Sequence, residues 1–390
     1  MALHFTPSTP VISDLTLHLP LMPAPGTPAQ TEVRATFFPA EWHPQSGVQL
    51  TWPHADTDWA PLLREVDDCF VHIALEVLLR NELLLIVTPE PERIKALFHE
   101  RIPSRLLPHV RYFECPTNDT WARDHAFLTL LTEHGPRLLD FQFNGWGLKF
   151  PADLDNQINS KLIHAFHPTE EEGEGLHYEP HLDFVLEGGS IESDGKGTLL
   201  TTSACLLSPN RNPSLTRLQI EEHLLHYFHA DRVLWLEHGY LAGDDTDSHI
   251  DTLARFCPDN TIAYVQCTDP TDEHYEALSA MEQQLRSFVL ENFPIETSTP
   301  YNLIPLPLPS PIFDPDDGHR LPATYANFLI LNGAVLLPTY GQPENDELAR
   351  RQLQKAFPRY DIIPIDCRVL IRQHGSLHCS TMQFPVGVIS

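Results

Sequence analysis

Glycine and basic residues are scarce in this chain of 390 residues. It has 18 glycines against 36 prolines and contains neither a GxGxxG nor a GxxxxGKS/T pattern, which argues against a glycine-rich phosphate-binding loop. Lysines and arginines number 25 against 53 aspartates and glutamates, so the formal net charge is −28. This charge repels nucleic-acid backbones and anionic membrane surfaces and raises the local concentration of small cations. We therefore expect no nucleic-acid or membrane partner, although solubility alone would also explain the charge.

Long apolar runs and paired cysteine motifs are missing as well. The most hydrophobic long stretch, from Phe70 to Val87, is interrupted by charged side chains and falls short of the roughly 18 apolar residues of a membrane span. No basic segment followed by an apolar run occurs at the N-terminus, so a secretory signal is not evident. The seven cysteines form no CxxC or zinc-ligand spacing, and their odd number suits a reducing compartment. These features predict a soluble, cytoplasmic protein.

The overall composition is that of a globular protein, with 42% apolar and 20% charged residues. Residues 1–33 carry many prolines together with serine, threonine and alanine and show no sustained period. This predicts a flexible N-terminal extension. From residue 34 to residue 390, helical and strand-like segments alternate, so we expect a single domain of mixed α/β structure.

The spacing of apolar residues predicts the elements of this domain. Helices are predicted in the segments 65–79, 91–99, 218–228, 273–288 and 346–357. Extended segments are predicted at 48–52, 83–87, 110–113, 233–236, 262–265, 328–337 and 362–370. Asn332 and Gly333 divide one of these apolar runs and are a strong signal for a type I′ hairpin.

Four stretches concentrate carboxylates, histidine or cysteine beside turn-forming residues. They are residues 118–124 (NDTWARD), 186–190 (LEGGS), 244–251 (DDTDSHID) and 375–379 (GSLHC). Each has an ordinary explanation by itself: Asp124 could pair with Arg123, Glu187 could cap a helix, and His249 could be a satisfied interior histidine. The acidic stretch 244–251 also looks like a calcium loop, but it lacks the twelve-residue spacing of an EF-hand.

The spacing of these polar residues is regular. Asp124 and Glu187 are 63 positions apart, Glu187 and His249 are 62 apart, and His249 and Cys379 are 130 apart, about twice the same step. A repeated supersecondary unit that presents one side chain at an equivalent place would produce this regularity. Spacing alone carries little weight, because freely chosen residues would also produce it by chance.

These stretches and further motifs resemble the guanidine-modifying, or pentein, superfamily, and within it the agmatine deiminase and bacterial peptidylarginine deiminase-like family. The further motifs are residues 38–42 (FPAEW), 51–54 (TWPH), 140–150 (DFQFNGWGLKF), 209–213 (PNRNP) and 325–328 (YANF). They occur in the order typical of that family and cover nearly the whole chain from about residue 37. The resemblance implies a five-fold pseudo-symmetric β/α propeller whose units surround a central substrate channel.

The resemblance also assigns roles to the polar residues. A guanidinium carbon is a poor electrophile, so its hydrolysis needs a good nucleophile, carboxylates that hold the nitrogens and a proton donor for ammonia. Cys379 would be the nucleophile, and His249 would act first as general acid and then as general base. Asp124 and Asp251 would hold the guanidinium group through paired hydrogen bonds. Glu187 would orient His249 and raise its pKa.

The same resemblance places Trp121 and Gly375, and the position of His378 in the chain bears on its role. Trp121 would line the channel against the aliphatic part of the substrate, and Gly375 would belong to the substrate-binding loop that precedes the nucleophile. His378 is adjacent to Cys379, but on an extended loop its side chain would point away from the thiol. We therefore prefer His249 as the catalytic base.

The charges of the site predict the state of the thiol. Three carboxylates near one cysteine disfavour its thiolate, and a cationic substrate would cancel that field. We therefore expect Cys379 to be mainly a thiol in the free enzyme and to ionise as substrate binds.

The leading functional hypothesis is hydrolysis of agmatine to N-carbamoylputrescine and ammonia. Loops at the channel mouth depart from the agmatine deiminase pattern, with Ala126 and Phe127 in place of Gly-Pro and only one glycine, Gly375, before the nucleophile. Deimination of free or peptidyl arginine, or of another guanidino compound, is therefore an alternative. Amidino transfer and non-catalytic polyamine binding are further alternatives. The expected partner is a small cationic guanidino compound, no metal or organic cofactor is implied, and a homo-oligomer would be unsurprising.

Overall fold

Helices and strands alternate along the chain in the computed structural model, which describes residues 34–166, 175–290 and 298–389. The prediction of a flexible extension at residues 1–33 lies outside these described residues. From Thr36 onward the chain forms one compact unit. The helices within the described ranges are α1 (Leu63–Leu79), α2 (Pro91–Arg101), α3 (Ala122–His125), α4 (Gly145–Leu148), α5 (Ile158–Phe166), α6 (Ser203–Leu206), α7 (Arg217–Tyr227), α8 (Tyr275–Ser287) and α9 (Pro343–Ala356).

The strands are short, between two and nine residues long. In chain order they are β1 (Thr36–Phe37), β2 (Gln45–Thr51), β3 (Leu83–Thr88), β4 (Val110–Glu114), β5 (Leu128–Thr132), β6 (Gly135–Gln142), β7 (His177–Val185), β8 (Ile191–Ser193), β9 (Thr198–Thr202), β10 (Arg232–Leu236), β11 (Ala254–Cys257), β12 (Thr261–Gln266), β13 (Val289–Leu290), β14 (Thr299–Pro300), β15 (Asn302–Pro307), β16 (Leu329–Leu331), β17 (Ala334–Thr339), β18 (Asp361–Asp366) and β19 (Thr381–Pro385).

Five sheets in the described part of the chain share one pattern, in which an antiparallel strand pair is followed by a parallel strand. The sheets are β19-β2-β3-β4, β1-β5-β6-β7, β8-β9-β10, β11-β12-β15 and β16-β17-β18. A parallel pair needs a crossover connection. The five crossovers, taken in the order in which the sheets are given, contain α1, α5, α7, α8 and α9, respectively. The mixed α/β architecture predicted from the sequence is therefore confirmed. Among the described residues, no helix is both long and apolar enough to cross a membrane.

The predicted elements form where apolar spacing indicates them. In α1 the side chains of Val66, Phe70, Ile73 and Val77 are fully buried and recur every three or four residues, so one face of the helix packs on the core. The extended segment predicted at 362–370 is shorter than expected, because β18 ends at Asp366 and a 3₁₀ helix begins at Leu370.

The hairpin at Asn332 and Gly333 has a different turn type from the one predicted. The two residues connect β16 and β17, with Leu331 paired to Ala334. A type I′ turn needs positive φ at both central residues, whereas Gly333 alone has it, at +75°. The side chain of Asn332 is engaged outside the hairpin, because its Oδ1 accepts the backbone N–H of Gln45 and its Nδ2 donates to the Gln45 carbonyl. These tertiary contacts hold Asn332 in the more common negative-φ conformation.

Each of the five sheets has a polar residue in the segment just before one of its antiparallel strands. Asp124 precedes β5, Glu187 precedes β8, His249 precedes β11, Asn327 precedes β16 and Cys379 precedes β19. The step of 62 to 63 residues from Asp124 to Glu187 to His249 thus follows the order of β5, β8 and β11 along the chain. The candidate site is assembled from these five segments.

Candidate active site

Cys379 lies in a tight turn that Asn327 holds in place. The Asn327 Oδ1 accepts the backbone N–H of His378 at 2.8 Å and that of Cys379 at 3.2 Å. The Asn327 Nδ2 donates to the Cys379 Sγ at 3.2 Å. Only 5% of Cys379 is exposed. One asparagine therefore fixes both the backbone of the turn and the position of the sulfur.

The surroundings of the Cys379 sulfur disfavour a thiolate. Its Sγ lies 3.7 Å from the Asp251 Oδ2. Burial, and then the negative charges of Asp251 and Asp124, raise the pKa of the Cys379 thiol well above its ordinary value. In the absence of a cationic ligand, Cys379 is therefore a thiol at neutral pH.

His378 does not lie on an extended loop, as expected, but in the same turn as Cys379. The turn is closed by hydrogen bonds from the Ser380 N–H to the Ser376 carbonyl and from the Thr381 N–H to the His378 carbonyl. The His378 Nδ1 is 2.8 Å from the Asp251 Oδ2. The prediction of an extended segment is therefore wrong, and both His378 and Cys379 approach the same carboxylate oxygen.

Asp124 is buried and accepts two hydrogen bonds. The indole N–H of Trp146 donates to its Oδ2 at 2.9 Å, and the backbone N–H of Gly189 donates to its Oδ1 at 3.1 Å. Burial raises the pKa of Asp124 to about 6, although the nearby His249 opposes the shift. Trp146 itself has positive φ (+56°), an unfavourable backbone conformation for a tryptophan. Residues in such conformations often cluster at functional sites.

Gly189 separates the acidic and basic groups of the site. A Cβ atom at this position would lie 2.7 Å from the His249 Nδ1, 2.8 Å from the Asp124 Oδ1 and 3.1 Å from the Asp251 Oδ2. Such distances are closer than van der Waals contact, so only a residue without a side chain fits here. Three of the predicted catalytic groups therefore meet around one glycine.

His249 is fully buried, and neither of its ring nitrogens has a hydrogen-bond partner. Its Nδ1 lies 3.7 Å from the Asp124 Oδ1. Burial disfavours the charged ring, but Asp124 and Cys205 outweigh it and raise the pKa of His249 to about 10. The ring is therefore protonated at neutral pH and free to donate a proton.

Glu187 makes its hydrogen bonds to Arg211 and none to His249. Both carboxylate oxygens of Glu187 accept from the Arg211 Nε at 3.0 Å. Arg211 in turn donates to the Asp247 Oδ2 at 2.7 Å and to the Thr246 carbonyl at 2.8 Å. The charge of Glu187 still contributes to the raised pKa of His249, after those of Asp124 and Cys205. The contacts of Glu187 thus tie it to the loop before His249.

Asp251 is buried and uses only one of its two oxygens. Its Oδ2 faces His378 and Cys379, whereas its Oδ1 has no hydrogen-bond partner. Burial acts to raise the pKa of Asp251, but the hydrogen bond and the charge of His378 outweigh it and lower the pKa. Asp251 is therefore a carboxylate with a free acceptor.

A pocket of about 460 Å³ opens onto this cluster. Its walls include four residues of the predicted site, Cys379, Asp124, Trp121 and Gly375. Gly375 packs so closely on the Trp121 ring that a Cβ atom would lie 2.4 Å from it. His249, Glu187 and Asp251 are not wall residues. The structure therefore brings four predicted residues to the pocket. His249 lies against Asp124 and Asp251 against Cys379, whereas Glu187 is linked to the loop before His249 through Arg211.

The outer part of the pocket is acidic. Asp58, Asp119 and Asp245 line it together with Phe150, Gln373 and His374. None of the lining residues, all of which lie within the described ranges, is a lysine or an arginine. Burial raises the pKa of Asp119 to about 6. The rim therefore suits a cationic or neutral ligand better than an anionic one.

The acidic stretch 244–251 is organised by contacts within the protein. Asp244 accepts the Thr246 and Ser248 backbone N–H groups, and Asp247 pairs with Arg211 and Lys149. Donor atoms of Glu187, Cys205 and His249 lie within 4.8 Å of one another, as metal ligands can. Arg211 already neutralises Glu187 there. The expectation of no metal or cofactor stays a prediction.

Several contributors to the site were missed by sequence reasoning. Asn327, Arg211 and Trp146 stand in motifs quoted for the family resemblance, and these motifs were the available signal. Gly189 was noted as a neighbour of Glu187. Glu41, in the FPAEW motif, was given no role, although it lies 2.7 Å from the His378 Nε2.

Comparison with known proteins places this geometry in context. Residues 37–385 match the family of Porphyromonas-type peptidyl-arginine deiminases. Agmatine deiminase of Pseudomonas syringae pv. tomato is 33% identical over 371 residues, covering 89% of this chain and 95% of that protein. A protein of Porphyromonas gingivalis proposed to be an arginine deiminase shares 50% identity and a TM-score of 0.82, covering 91% of this chain and 100% of the other. A Cys-to-Ser variant of C. jejuni agmatine deiminase with substrate bound shares 38% identity and a TM-score of 0.79, covering 93% and 99%.

Proposed function

The chain belongs to the Porphyromonas-type peptidyl-arginine deiminase family, and from this premise we propose that it hydrolyses agmatine to N-carbamoylputrescine and ammonia. It would thus be a hydrolase acting on a C–N bond of a linear amidine. The observation that carries the proposal is the shared pocket of Cys379 and Asp124, with Asp251 at 3.7 Å from the sulfur. A nucleophile beside two carboxylates suits a guanidinium group, which needs both.

The proposed reaction has two halves. Binding of the guanidinium cation offsets the charges of Asp124 and Asp251, so the Cys379 thiol releases its proton to solvent and its sulfur adds to the guanidinium carbon. His249, whose pKa is raised to about 10, protonates the departing nitrogen, and ammonia leaves an S-alkylthiouronium intermediate. Water then adds to the same carbon as His249 takes its proton. The C–S bond then breaks as the remaining hydroxyl proton of the adduct passes to the departing sulfur, which releases N-carbamoylputrescine and returns Cys379 as a thiol.

The substrate is held by two carboxylates that differ in their contacts. Asp124 and Asp251 would each accept guanidinium N–H groups, and the free Oδ1 of Asp251 supports this role. Trp121 and Gly375 would flank the aliphatic chain, because their close packing forms part of the wall. Glu187 would contribute charge to His249 and fix the preceding loop through Arg211.

The rim favours agmatine among guanidino substrates. Asp58, Asp119 and Asp245 would attract its distal ammonium group, and they would repel the carboxylate of free arginine. Deimination of peptidyl arginine is the second candidate. The name of the matching family favours it. A blocked arginine also lacks a free carboxylate, so the acidic rim of the pocket would not repel it.

We also propose a five-fold propeller for the fold and the cytoplasm for the location of the protein. The shared strand pattern of five sheets supports a five-fold pseudo-symmetric propeller around the pocket. The seven unpaired cysteines support a cytoplasmic location. A homo-oligomer stays a prediction.

Ammonia release from purified protein tests the proposed function. Agmatine, free arginine and a blocked arginine peptide are assayed side by side, with the Cys379→Ser variant as the blank for each. The proposal expects agmatine to give the highest kcat/KM. A clear preference for the blocked peptide would establish the second candidate, and no release from any of the three would contradict both.

A further inference from the structure

The imidazole of His378 lies between two carboxylates, the buried Asp251 and the partly buried Glu41. Its Nδ1 is 2.8 Å from the Asp251 Oδ2, and its Nε2 is 2.7 Å from the Glu41 Oε1. The proposed reaction does not use His378, whose ring is 1% exposed. Since an ionised carboxylate can only accept, the Nδ1 must carry the proton that Asp251 receives. In the neutral ring the Nε2 then accepts from the Arg255 guanidinium at 3.0 Å, and it donates to Glu41 only when the ring is charged. His378 is therefore a fixed donor to Asp251.

This contact decides which oxygen of Asp251 remains available. The Oδ2 is occupied by His378, and the Oδ1 has no partner. A carboxylate without a fixed partner can rotate about its last bond and offer either oxygen. With one oxygen held, the other keeps a defined direction.

Glu41 holds the far side of the imidazole and is itself fixed by two arginines. Arg123 donates to its Oε1 at 3.1 Å, and Arg255 donates to its Oε2 at 2.5 Å. Arg255 also lies 3.0 Å from the His378 Nε2 and pairs with Glu192. These groups come from distant parts of the chain, so the position of His378 is set by several elements at once.

We propose that His378 and Glu41 are positioning residues that hold Asp251 with its Oδ1 free for a substrate N–H group. This inference rests on the proposed function, since it assigns Asp251 to the guanidinium group. It adds two residues that do not touch the substrate. Stabilisation alone is a weak explanation for such a cluster, because a buried ion network is often no more stabilising than apolar residues of the same volume.

Two variants of His378 separate positioning from packing. In His378→Asn the amide nitrogen stands near the former Nδ1 and can still donate to Asp251. In His378→Gln the amide reaches toward the former Nε2, so it contacts Glu41 and leaves Asp251 without its donor. Both variants remove the ring and leave a similar gap, so they differ mainly in which hydrogen bond survives.

Steady-state kinetics with agmatine gives the first readout. We expect His378→Asn to keep kcat/KM within about 5-fold of the unsubstituted protein, and His378→Gln to lose roughly 10- to 100-fold, the range for a hydrogen bond to a charged group. Glu41→Gln is expected to give an intermediate loss. The control is Glu82→Gln, which alters a fully buried glutamate that accepts the Asn332 N–H and is not a pocket residue.

The affinity for agmatine gives the second readout. It reports how well Asp251 is positioned without a contribution from the chemical step. In the Cys379→Ser background, calorimetry should show that His378→Gln weakens agmatine binding by a similar factor, whereas His378→Asn does not. Equal losses in the two variants, or no loss in either, would overturn the inference while turnover by the unsubstituted protein upholds the proposed function. If the unsubstituted protein released no ammonia from agmatine, the proposed function would fail and the inference with it.

Discussion

The Cys379 Sγ lies 3.7 Å from the Asp251 Oδ2, so the nucleophile of the proposed reaction stands against a negative charge. Burial and the charges of Asp251 and Asp124 raise the pKa of the thiol well above its ordinary value. The same carboxylates that would bind a guanidinium cation thus keep the sulfur protonated until that cation arrives. This arrangement protects the thiol from reaction in the empty site.

Cys379 is therefore expected to be a thiol in the free enzyme. Thiolate absorbance is titrated in the unsubstituted protein and in Cys379→Ser, and the difference isolates this residue. No ionisation of Cys379 should appear below an ordinary cysteine pKa of about 8.5. Guanidinium chloride should shift the ionisation to lower pH. A free-enzyme pKa well below 8.5 would rule the account out.

The pH dependence of kcat/KM follows from the pKa values of Asp124, His249 and the Cys379 thiol, and the need to ionise that thiol makes kcat/KM rise with pH above the pKa of Asp124 as well. Burial raises the pKa of Asp124 to about 6, and holding the guanidinium group requires its ionised form, so kcat/KM should fall as the pH drops through about 6. The alkaline limb should lie near pH 10, where the protonated His249 is lost.

A Trp146 variant tests whether Asp124 causes the fall of kcat/KM at low pH, here called the acid limb. Its indole hydrogen bond stabilises the ionised form of Asp124, so Trp146→Phe should move the acid limb to higher pH. A limb that stayed in place would show that another group controls it.

Gly189 should be intolerant of even one added carbon. Gly189→Ala places a methyl group 2.7 Å from the His249 Nδ1 and 2.8 Å from the Asp124 Oδ1, so these groups must separate. We expect a loss in kcat of roughly 100-fold or more, as small displacements of catalytic groups produce. Gly318→Ala is the control, because it carries backbone strain at φ +78° but meets no atom within 4 Å. Comparable activities of the two variants would contradict this view of Gly189.

Arg211 should be required for stability through Glu187. Arg211→Met leaves the buried Glu187 carboxylate without its partner, and a loss of about 3–5 kcal/mol in the free energy of unfolding is expected. Chemical denaturation measures this loss. Arg368→Gln, which breaks an exposed pair with Asp366, should cost no more than about 1 kcal/mol.

The double variant Arg211→Met with Glu187→Leu tests the cause. The double variant should recover most of the lost free energy of unfolding, because it no longer contains the unpaired Glu187 carboxylate. It should not recover activity, because that carboxylate no longer helps to raise the pKa of His249. A double variant as unstable as Arg211→Met would show that packing, and not the unpaired carboxylate, sets the cost.

The sequence predicted the main elements well, because apolar spacing governs them. Segment 65–79 became α1 (Leu63–Leu79), and 91–99 became α2 (Pro91–Arg101). The hairpin at Asn332 and Gly333 was predicted from this dipeptide and is present, but its turn type differs, because Asn332 makes contacts with the distant Gln45. Local pattern sets the elements, and tertiary contacts set the turns.

Sequence analysis selected the site residues whose side chains are charged or reactive. Asn327 carries no charge and was not chosen, although the double step between His249 and Cys379 left room for one more unit. It lies 78 positions after His249 and 52 before Cys379, because the segment leading to β16 is long. Pairings such as Glu187 with Arg211 join separate loops, and nothing local in the sequence specifies them.

The most direct test replaces the sulfur itself. Ammonia release from agmatine is compared in the unsubstituted protein, in Cys379→Ser and in Cys267→Ser, a nearly buried cysteine outside the pocket. The account predicts that Cys379→Ser lowers kcat by at least about 1,000-fold while agmatine still binds, and that Cys267→Ser remains active. Turnover by Cys379→Ser at the rate of the unsubstituted protein would contradict it.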